Sequence, residues 1–172
     1  LVRSSDLLFL NSIASQHMTE EENREFANRF SMLQKNIVIE ITEEEALDHH
    51  SLEVKRSTPG FTGMFALDDY GSGYSNDLSL LELSPLFIKI DLSIVRNIHT
   101  NPDKQQIVEN IVAYAHKRDM KIVAEGLETP EEIQKVLELE VDLLQGFYLA
   151  RPEPVPGNIN EDALKIIAAF YK

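Results

Sequence analysis

The segment Met64-Phe65-Ala66-Leu67-Asp68-Asp69 places a short apolar run directly before two carboxylates. Five other runs have the same form, because each is apolar and each ends on a polar side chain. They are residues 7–11, 37–40, 87–91, 122–125 and 141–145. Short runs rich in Ile, Val, Leu and Phe, bounded by turn-forming residues, are typical of strands buried on both faces. The sequence therefore predicts six buried β-strands.

Helical patterns separate these runs, and the alternation of strand and helix is typical of a parallel sheet. We expect a helix behind a capping box of Thr19 and Glu22, and another from about residue 44 to residue 56, before Pro59-Gly60. Phe26, Phe30 and Leu33 continue the first of these helices at helical spacing. Further helix signals are Leu78, Leu81 and Leu83; Pro102 with the stripe Ile107, Ile111, Val112 and Ala115; Thr129-Pro130-Glu131-Glu132; and Asn160 before Leu164, Ile167 and Phe170. Parallel strands bring their carboxyl ends to one face, where α/β proteins bind ligands.

Six strand–helix units fit two architectures. One is a (β/α)₈ barrel that lacks two of its units, and the other is an open six-stranded sheet. A barrel without its first two strands would leave an open sheet edge that another chain or segment has to cover. The fold class expected is thus α/β with parallel strands, and the spacing alone leaves the choice between these architectures open.

Composition excludes several classes of function. The 172 residues include 29 Asp and Glu against 16 Lys and Arg, a formal net charge of -13, and no cysteine. Such an acidic chain is unsuited to binding a nucleic-acid polymer through its phosphates, and thiolate metal sites are excluded. No apolar run approaches the roughly 20 residues of a membrane span, and no signal peptide opens the sequence. We therefore expect a cytoplasmic domain, or a piece of one, whose parent protein is free or membrane-tethered.

Carboxylates and amides collect at the ends of the predicted strands. They are Asn11, Glu40, the pair Asp68-Asp69, Asp91, Glu125 and Gln145. A single acidic residue after a strand is often a helix cap or a turn former. Several carboxylates at one face repel one another unless cations are present, and oxygen ligands suit Mg²⁺ or Mn²⁺. The sequence therefore favours a metal site, and Asp68 with Asp69 could bridge two ions that promote attack on a phosphodiester.

Lys89 lies inside an apolar run and shares a strand face with Asp91, two residues further on. A buried ammonium group needs a partner, so this lysine is either part of a site or half of a structural ion pair. In a site it could stabilise developing negative charge or orient a water molecule. The glycine-rich turn Tyr70-Gly71-Ser72-Gly73-Tyr74 is either a flexible connection or a mobile loop that reports occupancy of the site.

Five ordered motifs resemble those of the EAL domain, a family of metal-dependent phosphodiesterases that linearise cyclic di-GMP. They are Glu40-Ile41-Thr42-Glu43, the stretch from Asp68-Asp69 to Tyr74-Ser75, Lys89-Ile90-Asp91, the stretch from Ala124-Glu125 to Glu128-Thr129, and Gln145-Gly146-Phe147. The resemblance covers nearly the whole chain. It implies a modified TIM barrel, here incomplete and lacking about its first two strands, with residues 1–172 as the C-terminal two thirds to three quarters of the domain.

The resemblance also implies roles for individual residues. Two Mg²⁺ or Mn²⁺ ions would be held by Asn11, Glu40, Asp68, Asp69 and Glu125. Lys89 would lie beside the attacking water, Glu125 would be a general-base candidate, and Asp91 would support the network of metal and water. Glu43 would fix the loop that begins at Asp69, while Glu128 and Gln145 would serve the substrate side. Cyclic di-GMP is the implied ligand, with a possible homodimer and an attached regulatory or GGDEF-type domain.

The Glu-Ala-Leu strand that names the family is not found before Asn11. The tripeptide Glu45-Ala46-Leu47 occurs, but in a predicted helix, where it cannot replace a ligand from another strand. The sequence is therefore either a fragment of an intact phosphodiesterase or a shortened relative that binds cyclic di-GMP or a protein without cleaving. Because a missing ligand weakens a metal site, we expect these 172 residues alone to be poorly active.

Overall fold

The computed structural model describes residues 7–12, 19–29, 36–57, 63–72, 77–155 and 157–171. Its strands are β1 Leu8–Asn11, β2 Ile37–Thr42, β3 Phe65–Tyr70, β4 Phe87–Ile90, β5 Lys121–Ala124 and β6 Leu143–Leu144. Its helices are α1 Glu20–Arg29, α2 Glu43–Ala46, α3 His49–Ser57, α4 Asp77–Leu83, α5 Leu92–Val95, α6 Pro102–His116, α7 Pro130–Glu138 and α8 Glu161–Phe170, with a 3₁₀ turn at Ile98–Thr100. All six predicted strands are confirmed.

The chain divides into two compact units, residues 1–68 with 74–86 and residues 69–73 with 87–172. In the first unit β1 pairs parallel with β2, and β2 pairs parallel with β3. Val38, Ile41 and Leu67 are fully buried, as expected for strands covered on both faces. The strands of this unit therefore follow chain order, with their carboxyl ends at one edge.

In the second unit β4 pairs parallel with β5, and β5 pairs parallel with β6. The end of β3 belongs to this unit as well, because the N–H of Asp91 donates to the carbonyl of Tyr70 at 3.1 Å. Ile88 and Ile122 are fully buried beneath the helices of the unit. Both units thus have the parallel β-α organisation that the sequence predicts.

Helix starts follow the predicted caps. The Thr19–Glu22 capping box opens α1, with Thr19 N donating to Glu22 Oε2 at 2.8 Å, and Asn160 caps α8 through the N–H of Asp162 at 2.9 Å. Of the apolar residues assigned to α1, Phe30 and Leu33 lie outside the described residues, as does Pro59-Gly60. Local side-chain chemistry is therefore sufficient to place these helix starts.

Two details of the helix prediction are wrong. The single helix expected near residues 44–56 is two helices, α2 and α3, because Asp48 starts a new helix by accepting from the N–H of His50 and Ser51 at 3.1 and 3.2 Å. In α6, Ile107 is 45% exposed, and Val108 takes the buried position with the rest of the predicted stripe. Val108 lies three residues before Ile111 and four before Val112, so it is nearer the centre of the buried face than Ile107.

Asp142 joins three elements at the amino-terminal ends of β5 and β6. Its carboxylate accepts from Lys121 Nζ at 2.6 Å and from the Ile122 N–H at 2.9 Å, and it lies 2.9 Å from His116 Nε2 at the end of α6. Burial raises the pKa of Asp142, but these hydrogen bonds together outweigh burial and lower it. The negative form of Asp142 therefore stabilises the second unit.

None of the helices in the described part of the chain is long and apolar enough to cross a membrane.

In the Asp142→Asn variant, the free energy of unfolding should fall less steeply as the pH is lowered. The folded protein lowers the pKa of Asp142, so its contribution is present above the unfolded-state pKa of about 4 and is lost as pH falls through the folded value. Urea unfolding between pH 3 and 7 should show the wild type losing more stability than the variant. Glu138→Gln, which removes an exposed carboxylate of α7, is the control. Parallel curves for wild type and Asp142→Asn would contradict the prediction.

Candidate active site

Strand register places the predicted ligands of the first unit on one face. Asn11 lies opposite Glu40, and Glu40 lies opposite Ala66. Because side chains two residues apart share a face, Asp68 follows Ala66 on that same face. Glu40 is 7% exposed and Asp68 is 9% exposed, so two carboxylates are nearly buried at the carboxyl ends of β2 and β3. The first unit thus brings together three of the five predicted metal ligands.

Strand register also places the predicted site residues of the second unit on one face. Lys89 lies opposite Val123, and Val123 lies opposite Leu143. Glu125 and Gln145 each follow two residues later, and backbone bonds from Glu125 N to Ile90 O and from Gln145 N to Ala124 O continue the ladder past the strands. Lys89, Glu125 and Gln145 therefore point to one face of this unit.

A buried ion pair joins β4 to the end of β5. Lys89 Nζ lies 2.7 Å from Glu125 Oε1, and the two side chains are 5% and 15% exposed. This contact gives the lysine the partner that its burial requires. It also fixes the position of Glu125, which is the predicted general base and metal ligand.

Asp69 and Glu125 approach one another closely. Their carboxylate oxygens lie within 4.8 Å of one another. Asp69 has a left-handed backbone with φ 56°, and this departs from the alternation of an extended strand. Like charges at such separation disfavour ionisation, and an oxygen-binding divalent cation would relieve the repulsion.

Asp91 and Glu43, two further predicted site residues, each make a structural contact. Asp91 caps α5, accepting from the Ser93 N–H at 2.9 Å, which is the alternative role open to a carboxylate after a strand. Glu43, at the start of α2, is 5% exposed, and its carbonyl accepts from Ser79 Oγ at 3.1 Å. Gln145 is exposed beyond β6. The site roles of Asp91, Glu43 and Gln145 stay predictions.

Glu128 forms a bidentate ion pair with Arg96, a residue that the sequence did not single out. Arg96 Nη2 donates to Glu128 Oε1 at 2.7 Å, and Arg96 Nη1 donates to Glu128 Oε2. The hydrogen bond from Arg96 lowers the pKa of Glu128, and the same bond raises the pKa of Arg96. Arg96 follows Asp91 by five residues, so a basic residue after the Lys-Ile-Asp motif was the available signal. The predicted substrate-side carboxylate is thus already charge-balanced.

Glu45 is a buried acid whose partners the sequence analysis did not predict. It is 4% exposed in α2, pairs with Lys55, and accepts from Ser12 Oγ at 2.8 Å and Ser51 Oγ at 3.3 Å. Its place in a helix confirms that Glu45-Ala46-Leu47 is not a strand-end ligand. Through Ser12 it holds the residue that follows Asn11, so Glu45 supports the end of β1.

Parallel strands with carboxylates at their carboxyl ends define an α/β protein whose strand ends offer oxygen donors. Residues 6–152 match the family model described as the EAL domain. The chain belongs to the EAL domain family.

Curated relatives are cyclic di-GMP enzymes of greater length. Cyclic di-GMP phosphodiesterase PdeL of Escherichia coli is 36% identical over 141 residues, which are 81% of this chain and 38% of PdeL. The probable cyclic di-GMP phosphodiesterase PdeG of the same organism is 34% identical over 136 residues, 77% of this chain and 26% of PdeG. This chain therefore spans well under half the length of either relative.

Solved structures agree on the fold. BlrP1 of Klebsiella pneumoniae, in a complex with calcium and cyclic di-GMP, matches with a TM-score of 0.77 and 29% identity over 89% of this chain and 41% of BlrP1. Its manganese and cyclic di-GMP complex at pH 6 matches with a TM-score of 0.72 and 30% identity over 85% of this chain and 39% of BlrP1. The expected fold class, an incomplete TIM-like barrel of the EAL type, is confirmed.

A double-mutant cycle should show strong coupling between Lys89 and Glu125. Removing one member of a buried ion pair costs about 3–5 kcal/mol, because the other charge stays buried. Glu125→Gln should cost more than Lys89→Met, since the ammonium is the more buried group. The double variant should lose less than the sum of the single losses, as measured by urea unfolding without metal. Additive losses would contradict the coupling.

Proposed function

We propose that the domain to which this chain belongs hydrolyses one phosphodiester bond of cyclic di-GMP to give the linear dinucleotide. The observation that carries the proposal is the group at the end of β5, where Glu125 lies within 4.8 Å of Asp69 and 2.7 Å from Lys89. Family membership and the relatives that are phosphodiesterases support the same chemistry.

The donor set fits Mg²⁺ or Mn²⁺. Ligand oxygens on opposite sides of Mg²⁺ are about 4.2 Å apart, since each Mg–O distance is about 2.1 Å. The separation of up to 4.8 Å between Asp69 and Glu125 oxygens needs only a small adjustment to reach it. We propose two ions, held by Asn11, Glu40, Asp68, Asp69 and Glu125. Bound there, the ions would lower the pKa of a water molecule and neutralise phosphate charge.

The chain's own residues have distinct tasks in this proposal. Glu125 accepts the proton of the attacking water, and Lys89 holds that carboxylate in place and donates to oxygen as negative charge develops. Water adds across one P–O bond, and the proton passes to the leaving sugar oxygen. Glu128, already paired with Arg96, and Gln145 line the substrate side. Asp91 steadies the network, and Glu43 steadies the loop that starts at Asp69.

The second candidate function is binding of cyclic di-GMP without cleavage. The described strands end in Asn11, Thr42, Tyr70, Ile90, Ala124 and Leu144, so the described part of the chain has no Glu-Ala-Leu strand. A metal site with one ligand fewer binds ions more weakly but can still bind the nucleotide.

For the parent protein we propose a cytoplasmic domain that pairs as a homodimer and is attached to a regulatory or diguanylate cyclase-type domain. The relative MucR of Pseudomonas aeruginosa is described as a bifunctional diguanylate cyclase and cyclic di-GMP phosphodiesterase.

Incubation of the chain with cyclic di-GMP and Mn²⁺, followed by chromatography, tests the reaction. We expect slow, Mn²⁺-dependent formation of linear dinucleotide that Glu125→Gln abolishes, while Glu161→Gln, at the exposed start of α8, leaves it unchanged. Calorimetry on the same samples measures binding. Binding without product would favour the second function, and neither binding nor product would refute both. Brisk turnover would contradict the expectation of poor activity.

Asp69→Asn should weaken metal binding. The variant loses one of the two carboxylates whose oxygens lie within 4.8 Å of each other, and with it a candidate Mn²⁺ ligand. Mn²⁺ at 100 times its Kd should stabilise the wild type by about 2.7 kcal/mol, and the variant by much less. Thermal unfolding with and without Mn²⁺ measures both effects, and Asp103→Asn in α6 is the control. Equal Mn²⁺ stabilisation of wild type and Asp69→Asn would refute Asp69 as a ligand.

A further inference from the structure

Glu132 is a fully buried carboxylate with three backbone donors. Its side chain is 0% exposed on α7. Oε1 accepts from the N–H of Asn97 at 2.8 Å, and Oε2 accepts from the N–H of Glu128 at 2.9 Å and of Thr129 at 3.2 Å. One side chain therefore joins two loops, the loop after α5 and the loop between β5 and α7.

These bonds exceed what a helix start requires. In a capping box the acidic side chain returns one bond to the backbone of the cap residue. The box at α1 does no more than this, since the exposed Glu22 accepts from the N–H and Oγ1 of Thr19. Glu132 makes the capping bond to Thr129 and adds two bonds to residues outside the helix. Burying a carboxylate is unfavourable without such partners, so the additional bonds indicate a role beyond capping.

The loop between β5 and α7, which Glu132 holds, contains Glu125. Its backbone is also closely packed at two other points. Gly126 has φ +67°, and a Cβ built on it would lie 2.6 Å from Leu92 Cβ. On the other side, a Cβ on Gly146 would lie 2.2 Å from the carbonyl oxygen of Leu127. The backbone of residues 125–129 is thus enclosed between α5 and the segment after β6, with Glu132 beneath its last two residues.

We propose that Glu132 is a positioning residue for Glu125. By fixing the backbone at Glu128 and Thr129 and tying it to Asn97, Glu132 keeps the Glu125 carboxylate beside Lys89 and Asp69. The metal part of this inference rests on the proposed function, whereas the position of Glu125 in the metal-free protein does not. Residues that orient metal ligands typically change metal affinity 10- to 100-fold when they are replaced.

Mn²⁺ titration of Glu132→Gln and Glu132→Ala tests the inference. Glu132→Gln keeps an oxygen for Glu128 and Thr129 but turns an NH₂ group toward the Asn97 N–H, so Mn²⁺ affinity should fall about 10-fold. Glu132→Ala removes all three acceptors, and its affinity should fall toward 100-fold. Val136→Ala is the matched control, because Val136 is fully buried on the same helix but does not bond to the loop. It should lower the unfolding midpoint and leave Mn²⁺ affinity unchanged.

NMR of the metal-free proteins supplies a readout that does not depend on metal. The amide and carboxyl signals of Glu125 should shift in Glu132→Gln and stay in place in Val136→Ala. Unmoved Glu125 signals in Glu132→Gln, or equal losses of Mn²⁺ affinity in Glu132→Gln and Val136→Ala, would overturn the inference. If Glu125→Gln bound Mn²⁺ as tightly as the wild type, the proposed metal centre would fail, and the NMR comparison alone would then decide the role of Glu132.

Discussion

The ion pair of Lys89 and Glu125 is the constraint on which the candidate site depends. Strand β4 can bury an ammonium group only if a carboxylate is within reach, because an unpaired charge in such surroundings is very unfavourable. Parallel register supplies that carboxylate, since Glu125 follows the neighbour of Lys89 by two residues on the next strand. The contact at 2.7 Å therefore ties the site chemistry to correct pairing of β4 with β5. A shift of one residue in register would turn Lys89 away from Glu125.

Most of the fold could be predicted from the sequence because its signals are local. Short apolar runs mark all six strands, and side chains such as Thr129 and Asn160 mark where helices begin. The errors occurred where two local signals compete. Asp48 could lie inside a helix, but its side chain caps a new helix instead. This cap splits the expected helix into α2 and α3. Ile107 and Val108 are both apolar, and only packing decides which is buried.

The candidate site could be predicted in part. Strand-end position predicted Glu40 and Asp68 in the first unit and Glu125 in the second, because parallel strands within each unit end at one edge. Their roles as ligands stay predictions. The long-range contacts around the site were not predicted: Arg96 pairs with Glu128, Glu45 bonds Ser12, and Glu132 bonds Asn97, and each contact joins segments distant in the chain. In the sequence Arg96, Glu45 and Glu132 each look like an ordinary charged helix or loop residue. The capping box predicts the local bond of Glu132 to Thr129, but no spacing pattern predicts its bond to Asn97, so only a structure reveals such contacts.

Two acidic side chains elsewhere in the protein can be compared with Asp69 and Glu125. Glu45 is held by Lys55 and two serine hydroxyls, and Asp142 by Lys121, a backbone N–H and His116. In both places donors surround the carboxylate. Glu125 has Lys89 as its partner, and the fold also brings the Asp69 carboxylate within 4.8 Å of Glu125, with a left-handed backbone at Asp69. Two carboxylates this close repel each other, and a divalent cation bound between them would relieve that repulsion.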